Sequence, residues 1–457
     1  MHAVEGAGII FGIAVFYLLS TTIVGAWSAK YAKDTTSFMS AKNQMGAYLV
    51  GILLTSEFIA SASTLGSSQA AFESGISASW VFVSLAAGFL LCGFLLAQKY
   101  HQTGEYTISG VISQKYGDKA RMMVSLMMVY AIIAVIVVAY TAGAVVVSSL
   151  LGISTTLAVW IMAIATTTSV AAGGMRGIGF SNLIHFVVKY FAIVITAVTA
   201  WFMLRARPDL SLDSLPAMHF SMTGVGLPTI IAWTVGNIGA VFSTQYVIQS
   251  ISSLNNARDA KKASIVASIW LLPLGFLAAY IGMAARVLFP TIKSVQAMPV
   301  FFKYMNPWIA GLAVSGVLSV AFVTILACNI GVTALVMKDF VVPFLKPSEK
   351  NRIIVIRVLA VVCGLLPIPF ALYVPGLLKT VFFARAIRTS IAVIALFMFY
   401  GPKIGTKAGA TLGLTLSVIF TTVWFVMNNP FGIDNMYIAL ATPLVTMLIS
   451  HIFKKDA

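Results

Sequence analysis

Leu54-Thr55-Ser56-Glu57-Phe58-Ile59-Ala60-Ser61-Ala62-Ser63-Thr64-Leu65-Gly66 lies in the middle of an apolar run from about residue 46 to residue 72. A helix needs roughly 20 residues to span a bilayer, so this run is long enough, yet its centre is small, polar and carries an acid. Non-helical backbone at membrane depth is tolerated only where it is buried in protein or lines a cavity. A second patch, Trp233-Thr234-Val235-Gly236-Asn237-Ile238-Gly239-Ala240, occupies the run from about 224 to 250, five apolar runs later. Interrupted helices in matching positions of two halves point to a transport site at a repeat interface. Gly, Ala and Ser also serve plain helix packing. The pairing of the two patches, together with Glu57, favours the site.

The rest of the chain fits a membrane protein. Of 457 residues, 60% are hydrophobic and 9% charged, against about 25% charged in a soluble domain. The apolar runs are continuous, which selects helices over a barrel of short alternating strands. The first run, Gly6 to Ala29, follows Glu5 in place of a basic segment and exceeds the usual length of a signal-peptide core. Cys92, Cys328 and Cys363 fall in apolar runs and read as small hydrophobes without a structural disulfide. No His, Cys or carboxylate spacing suggests a metal site, no glycine-rich phosphate loop occurs, and no polar stretch is long enough for a soluble catalytic domain. An enzyme is not expected.

Thirteen spans are expected, at about 6–28, 46–72, 77–99, 121–149, 156–173, 178–203, 224–250, 263–288, 307–338, 353–372, 376–400, 408–427 and 436–453. The net charge of +16 raises the question of nucleic acid, but its distribution answers it. Alternate loops holding Lys30, Lys33 and Lys42, then Lys99 to Arg121, Arg176, Arg258 to Lys262, Lys338 to Arg357, Lys403 and Lys407, and finally Lys454 and Lys455, collect 20 of the 29 basic residues; the opposite loops hold 6. Basic loops stay cytoplasmic. The chain is therefore expected as a multi-pass plasma-membrane protein with its N-terminus outside and its C-terminus cytoplasmic, partnered by lipid and not by nucleic acid.

Several stretches resemble the sodium/solute symporter family. Thr64-Leu65-Gly66 followed by Ala71-Phe72-Glu73-Ser74-Gly75-Ile76 looks like its serine-rich first core helix and aromatic-x-x-Gly exit. Tyr106-Thr107 through Gln114-Lys115-Tyr116-Gly117-Asp118-Lys119-Ala120-Arg121 is similar to its T-x-x-E-Y…R-Y-G…A-R loop. Gly173-Gly174-Met175-Arg176-Gly177 with Ser181-Asn182 stands where the family has G-G…T-D. Thr244-Gln245…Gln249 with Asn256-Ala257-Arg258-Asp259-Ala260, and Lys407-Ala408-Gly409-Ala410 before a closing helix, complete the set. Each is weak alone; five in order over most of the chain are specific. The resemblance implies an all-α, LeuT-like inverted repeat of five plus five helices. Residues 1–45 would be an added helix and loop, 46–204 and 205–400 the two repeats, and 401–457 two closing helices.

The resemblance also implies a sodium site made of backbone carbonyls from the first core helix and two hydroxyls from the eighth. Here those hydroxyl positions are Val323 and Thr324, so one oxygen is missing. In a second sodium site found in some members, serines match Leu326 and Ala327, and an aspartate matches Asn182. A hard cation needs oxygen ligands to replace its hydration.

Lys189 lies about 16 Å into its span and seven residues, two turns, beyond Asn182, hence on the same face. In sodium-independent amino-acid transporters of the wider fold a lysine on this core helix stands where sodium would sit, and the resemblance assigns that place to Lys189. The alternative is a permanent ion pair with Glu57. Candidate residues for cation or proton coupling are Lys189, Glu57, Ser56, Ile59, Thr324 and Asn182. Candidate substrate-binding residues are Ser63, Asn237, Gly239, Ser243 and Arg385. Arg385 and Arg388 share a face at i,i+3 near mid-membrane. An arginine fork matches a carboxylate, though helix gluing or a pair with Glu57 also fits, Arg388 being the more structural of the two.

The expected function is a secondary active symporter that imports a small organic solute, a carboxylate or an amino acid, by alternating access. The cargo is then anionic or zwitterionic, the coupled cation H⁺ or Na⁺, and no cofactor is needed. Conventional sodium coupling is the first alternative and a transporter-like sensor a more distant one.

Overall fold

A computed structural model of the chain describes residues 6–29, 45–373 and 376–453, with side chains except at 22, 24–29, 149, 150, 169–181, 349, 350 and 353. The expected basic loop with Lys30, Lys33 and Lys42, the terminal Lys454 and Lys455, and the side chains of the Gly173-Gly174-Met175-Arg176 motif lie outside the described residues.

The elements among the described residues are helices, apart from one isolated bridge between Met45 and Leu254. The principal helices, in chain order, are α1 (Ala7–Ala29), α2 (Ala47–Phe58), α3 (Ser61–Ser74), α4 (Trp80–Leu95), α5 (Ile108–Leu151), α6 (Thr155–Arg205), α7 (Leu227–Ser243), α8 (Gln245–Ser252), α9 (Ala257–Leu288), α10 (Pro307–Val336), α11 (Glu349–Leu365), α12 (Leu377–Tyr400), α13 (Lys407–Val426) and α14 (Asn435–Ile452). Their starts are written in the sequence. Thr107, Ser154, Asn256, Asn306, Ser348, Thr406 and Asp434 each accept a hydrogen bond from a backbone N–H two or three residues on, which satisfies donors that helix geometry leaves unpaired.

Among the described residues, nine of the helical stretches are by themselves long and apolar enough to cross a membrane, or ten counting the bent α7–α8 pair as one. The expected spans at 6–28 and 156–173 fall on the shorter apolar helices Ala7–Thr21 and Thr155–Thr168, and the one at 46–72 divides between Ala47–Phe58 and the start of the long stretch Ser61–Leu95. Spans expected separately at 156–173 and 178–203 share one helical element, α6. That element has residues for two crossings, and its apolar stretches, Thr155–Thr168 and Asn182–Arg205, keep the division the sequence suggests.

The two interruptions differ from each other. Between α2 and α3, Ile59 and Ala60 leave helical geometry (ψ 64° and 158°) within the expected patch. In the second run the expected patch, Trp233–Ala240, is continuous helix, and the chain instead bends by 44° at Thr244. The reason is packing: a Cβ at Gly239 would lie 2.2 Å from Thr389 Oγ1 and 2.8 Å from Thr389 Cα. These small residues let α7 press against α12.

α10 and α12 form the interior, each with 83% of its apolar window buried, whereas α14 buries 28% and is peripheral. α10 packs along α5 and α6, and α12 along α5 and α7. At Gly316 a Cβ would lie 2.5 Å from the Val188 carbonyl, so the α10 backbone rests directly on α6 beside Lys189.

Candidate functional site

The break after α2 creates an acceptor site. The last carbonyls of a helix have no intrahelical partner and sit at the negative end of its dipole. Thr55 O is taken by the Ile59 N–H at 2.9 Å. Ser56 O is taken by the ammonium of Lys189, also at 2.9 Å, and the same Nζ lies 3.4 Å from Ser56 Oγ. A cation from α6 thus caps the broken end of α2.

Around this contact runs a buried polar chain. Ser56 Oγ donates to Asn182 Oδ1 at 2.5 Å, and Asn182 Nδ2 donates to the Tyr246 hydroxyl at 3.4 Å. Tyr246 belongs to α8, just past the second break, so the chain Tyr246–Asn182–Ser56–Lys189 joins both interrupted segments through α6. Ser56, Asn182 and Lys189 are each at most 1% exposed. Thr324 and Val323 are buried on α10.

Glu57 does not form the ion pair considered from sequence. Its Oε2 is buried without a hydrogen-bond partner, and neither Lys189 nor Arg388 comes within ion-pair distance. It nevertheless feels the charges of both.

The substrate-site candidates separate into two groups. Arg385 Nη2 donates to Ser63 Oγ at 3.0 Å, bridging α12 to the first turn of α3 after the break. Its Nη1 is buried with no partner, and its guanidinium stands 4.6 Å from the Phe382 ring centre, itself stacked on Trp233. Asn237, Gly239 and Ser243 are occupied with helix packing. Asn237 Nδ2 donates to Val81 O at 2.9 Å and Ser84 Oγ at 2.6 Å, leaving Oδ1 unpaired, and Ser243 Oγ donates to Gly239 O and Arg388 O, both at 2.8 Å. Arg388 donates to Thr244 Oγ1, the residue at the second bend, at 3.2 Å.

Two residues near Lys189 escaped sequence reasoning. Tyr246 had no signal beyond its place after the bend. His185 lies one turn before Lys189 on the same face, and its Nδ1 is hydrogen-bonded to the Tyr17 hydroxyl of α1 at 2.6 Å; the i,i+4 spacing was the available clue. Among the described residues, no group of three His, Cys, Asp or Glu is placed to hold a metal ion.

Comparison with known proteins bears on the family and the fold. Residues 38–416 match the sodium:solute symporter family. The chain is 22% identical over 443 residues to the sodium/proline symporter of Haemophilus influenzae, and 21% over 441 residues to that of Escherichia coli, each alignment covering 89% of this chain and 86% of the relative. Its fold is similar to that of a sodium-coupled sialic acid symporter in a substrate-bound outward-open state (TM-score 0.81, 13% identity, 98% of both chains). It is also similar to that of Mhp1, a nucleobase-cation-symport-1 family transporter (TM-score 0.59, 17% identity, 90% of this chain and 92% of the other). The fold is thus all-helical and LeuT-like.

Proposed function

Because this chain belongs to the sodium:solute symporter family, we propose that it imports a small carboxylate or amino acid across the plasma membrane by alternating access, with Lys189 in the place of the coupled sodium ion. It is a membrane symporter of small solutes and not an enzyme; the cargo and the coupling are the proposal. The observation that carries the coupling is the Lys189 ammonium on Ser56 O at the break of α2. An ammonium there supplies the positive charge that a bound Na⁺ would supply to the same carbonyl. Two cations a few ångströms apart in a low-dielectric interior repel strongly, so Na⁺ and charged Lys189 exclude each other.

Proton coupling follows from that exclusion. Loss of the Lys189 proton leaves a weaker, uncharged hydrogen bond to Ser56 O and loosens the broken end of α2 from α6, and regaining it restores the charged cap, so protonation and helix position are linked. Glu57, unpaired yet within the field of Lys189 and Arg388, steadies the region when Lys189 is charged. For the cargo, the free Nη1 of Arg385 beside Ser63 favours a carboxylate, which would accept a charge-assisted hydrogen bond from that arm while Nη2 stays on Ser63. The competing reading is conventional sodium coupling, favoured by the sodium-coupled relatives. Here Na⁺ would have to displace Lys189 from Ser56 O.

The test begins with a thermal-shift screen of purified protein against amino acids and organic acids, because binding raises native-state stability by mass action. The solute found is then followed into proteoliposomes under an inward proton gradient without Na⁺. Accumulation supports the proposal; accumulation only with a sodium gradient refutes it.

A further inference from the structure

The end of the molecule that the basic loops assign to the cytoplasm carries a cluster of charges that the transport site does not use. After α10 the chain makes a π-helical turn, Met337–Val341, a departure from regular helix frequent at functional sites. Asp339 in that turn has a fully buried carboxylate. It accepts from Ser109 at 2.8 Å, from Arg121 Nε at 2.8 Å and Nη2 at 2.6 Å, and from Ser125. Its neighbour Lys338 donates to Thr107 Oγ1 at 3.0 Å and Glu105 Oε2 at 3.4 Å, and stands 4.0 Å from the Tyr106 ring centre.

Glu105, Tyr106, Thr107 and Ser109 lie in one short segment, whereas Arg121 and Ser125 lie beyond it on α5. Residues 108–116 are helical and lie between Gly104 (φ 69°) and Gly117 (φ 81°, ψ −175°). Gly117 interrupts α5 with a backbone conformation that only glycine adopts readily. Its Cβ position is open, so the requirement is conformational and not steric. The same segment holds two further elements that carry the site. Ile108 N donates to Gln245 Oε1 at 3.1 Å, and Gln245 Nε2 donates to Tyr106 O at 3.0 Å, tying it to α8 directly after the bend at Thr244. Lys115 donates to the carbonyls of Phe397 and Gly401 at the end of α12, the helix of Arg385. One rigid piece between two glycine hinges thus touches the ends of α8, α10 and α12.

We propose that residues 104–117 are the inner gate of the transport cycle, latched shut by Lys338 and Asp339. The inference rests on the alternating-access reading but not on the identity of the coupled ion or the cargo. Opening swings the segment about Gly104 and Gly117 and frees α8. Closing re-forms the charge-assisted hydrogen bonds of Ser109 to Asp339 and of Lys338 to Glu105 and Thr107, while Arg121 and Ser125 keep Asp339 fixed to α5 beyond the hinge. Hinges of this kind absorb backbone rotation at a few terminal positions.

The experiment reports opening without a known cargo. Ser250, buried on α8 beyond Gln245, is changed to cysteine, and labelling by a membrane-impermeant maleimide is timed in inside-out and right-side-out vesicles, with the parent lacking this cysteine as background. Lys338→Met and Asp339→Asn are each expected to speed labelling roughly tenfold or more, the scale of losing one charge-assisted hydrogen bond from an opening equilibrium, and Gly117→Ala is expected to speed it because alanine strains the φ 81°, ψ −175° backbone of the latched state. The increase should appear in inside-out vesicles only. Unchanged labelling in folded Lys338→Met and Gly117→Ala, or an equal rise from both faces, overturns the gate and leaves a structural brace. If Asp339→Asn does not fold, the variants at the partly buried Lys338 and at Gly117 carry the test. Failure of solute uptake by the unmodified protein would count against the transport reading and leaves the labelling result to be read separately.

Discussion

Replacing Arg385 by lysine keeps the charge and removes the fork. In the structure one arm, Nη2, is engaged by Ser63 Oγ, and the other, Nη1, is buried and free. A carboxylate placed against Nη1 would complete the set. Lysine keeps three N–H donors, but on one tetrahedral nitrogen, so it cannot reproduce the planar spacing that lets Arg385 hold Ser63 with one arm and face the cargo with the other. The loss is about one hydrogen bond to a charged group, roughly 1.5–3 kcal/mol, or roughly 10- to 150-fold in apparent affinity at about 1.4 kcal/mol per decade. The assay is initial uptake by proteoliposomes as a function of solute concentration, at equal amounts of monodisperse protein. Arg385→Lys should raise KM by that factor while the melting temperature changes little. Ser63→Ala should cost less, because it removes a neighbour of the fork and not the fork. An unchanged KM in folded Arg385→Lys, or equal effects of the two variants, would refute the role of Arg385 as a cargo ligand and make it a brace between α3 and α12.

Three further outcomes are expected. Lys189→Ala should give uptake that no longer rises as external pH falls, and adding Val323→Ser, which restores a hydroxyl beside Thr324, should bring back some sodium dependence; a pH profile that survives Lys189→Ala would remove this lysine from coupling. Single cysteines at positions 212 and 347 should label from outside and from inside respectively, and the reverse pattern would invert the topology. Gly239→Ala should lower stability by about 1–3 kcal/mol, the usual cost of overpacking, because the new Cβ meets Thr389 at 2.2 Å; thermal melting in detergent reads it, and an unshifted melt would mean that α7 and α12 separate freely.

The break after α2 was legible because polar, small residues and an acid cannot sit mid-membrane by accident of composition, and Ile59–Ala60 fell inside the stretch that suggested it. The second bend was misplaced by several residues. Gly236, Asn237 and Gly239 look like a break in sequence, yet their smallness serves the close approach of α7 to α12, whereas Thr244 carries no local signal for a bend. Lys189 was conspicuous as an ionisable residue deep in an apolar run. Its partner was not: sequence offered Glu57, the only acid nearby, but a backbone carbonyl has no sequence signature, and Ser56 O is what the ammonium holds. Asn182 and Ser56 were both expected near the cation site, whereas Tyr246, which links them to α8, depends on a tertiary contact that no periodicity reveals. The two arginines shared a face as their spacing required. That Arg385 turns to Ser63 and Arg388 to Thr244 was set by which broken segment each one meets.

The most direct test of the central claim, that the Lys189 ammonium fills the place of the sodium ion, is equilibrium binding of radioactive Na⁺ to the purified protein at neutral pH, with choline or K⁺ keeping ionic strength constant. It needs no knowledge of the cargo. The account predicts no saturable Na⁺ binding to the unmodified protein, and measurable binding in the Lys189→Ala, Val323→Ser double variant. Saturable Na⁺ binding with Lys189 intact and charged would contradict it.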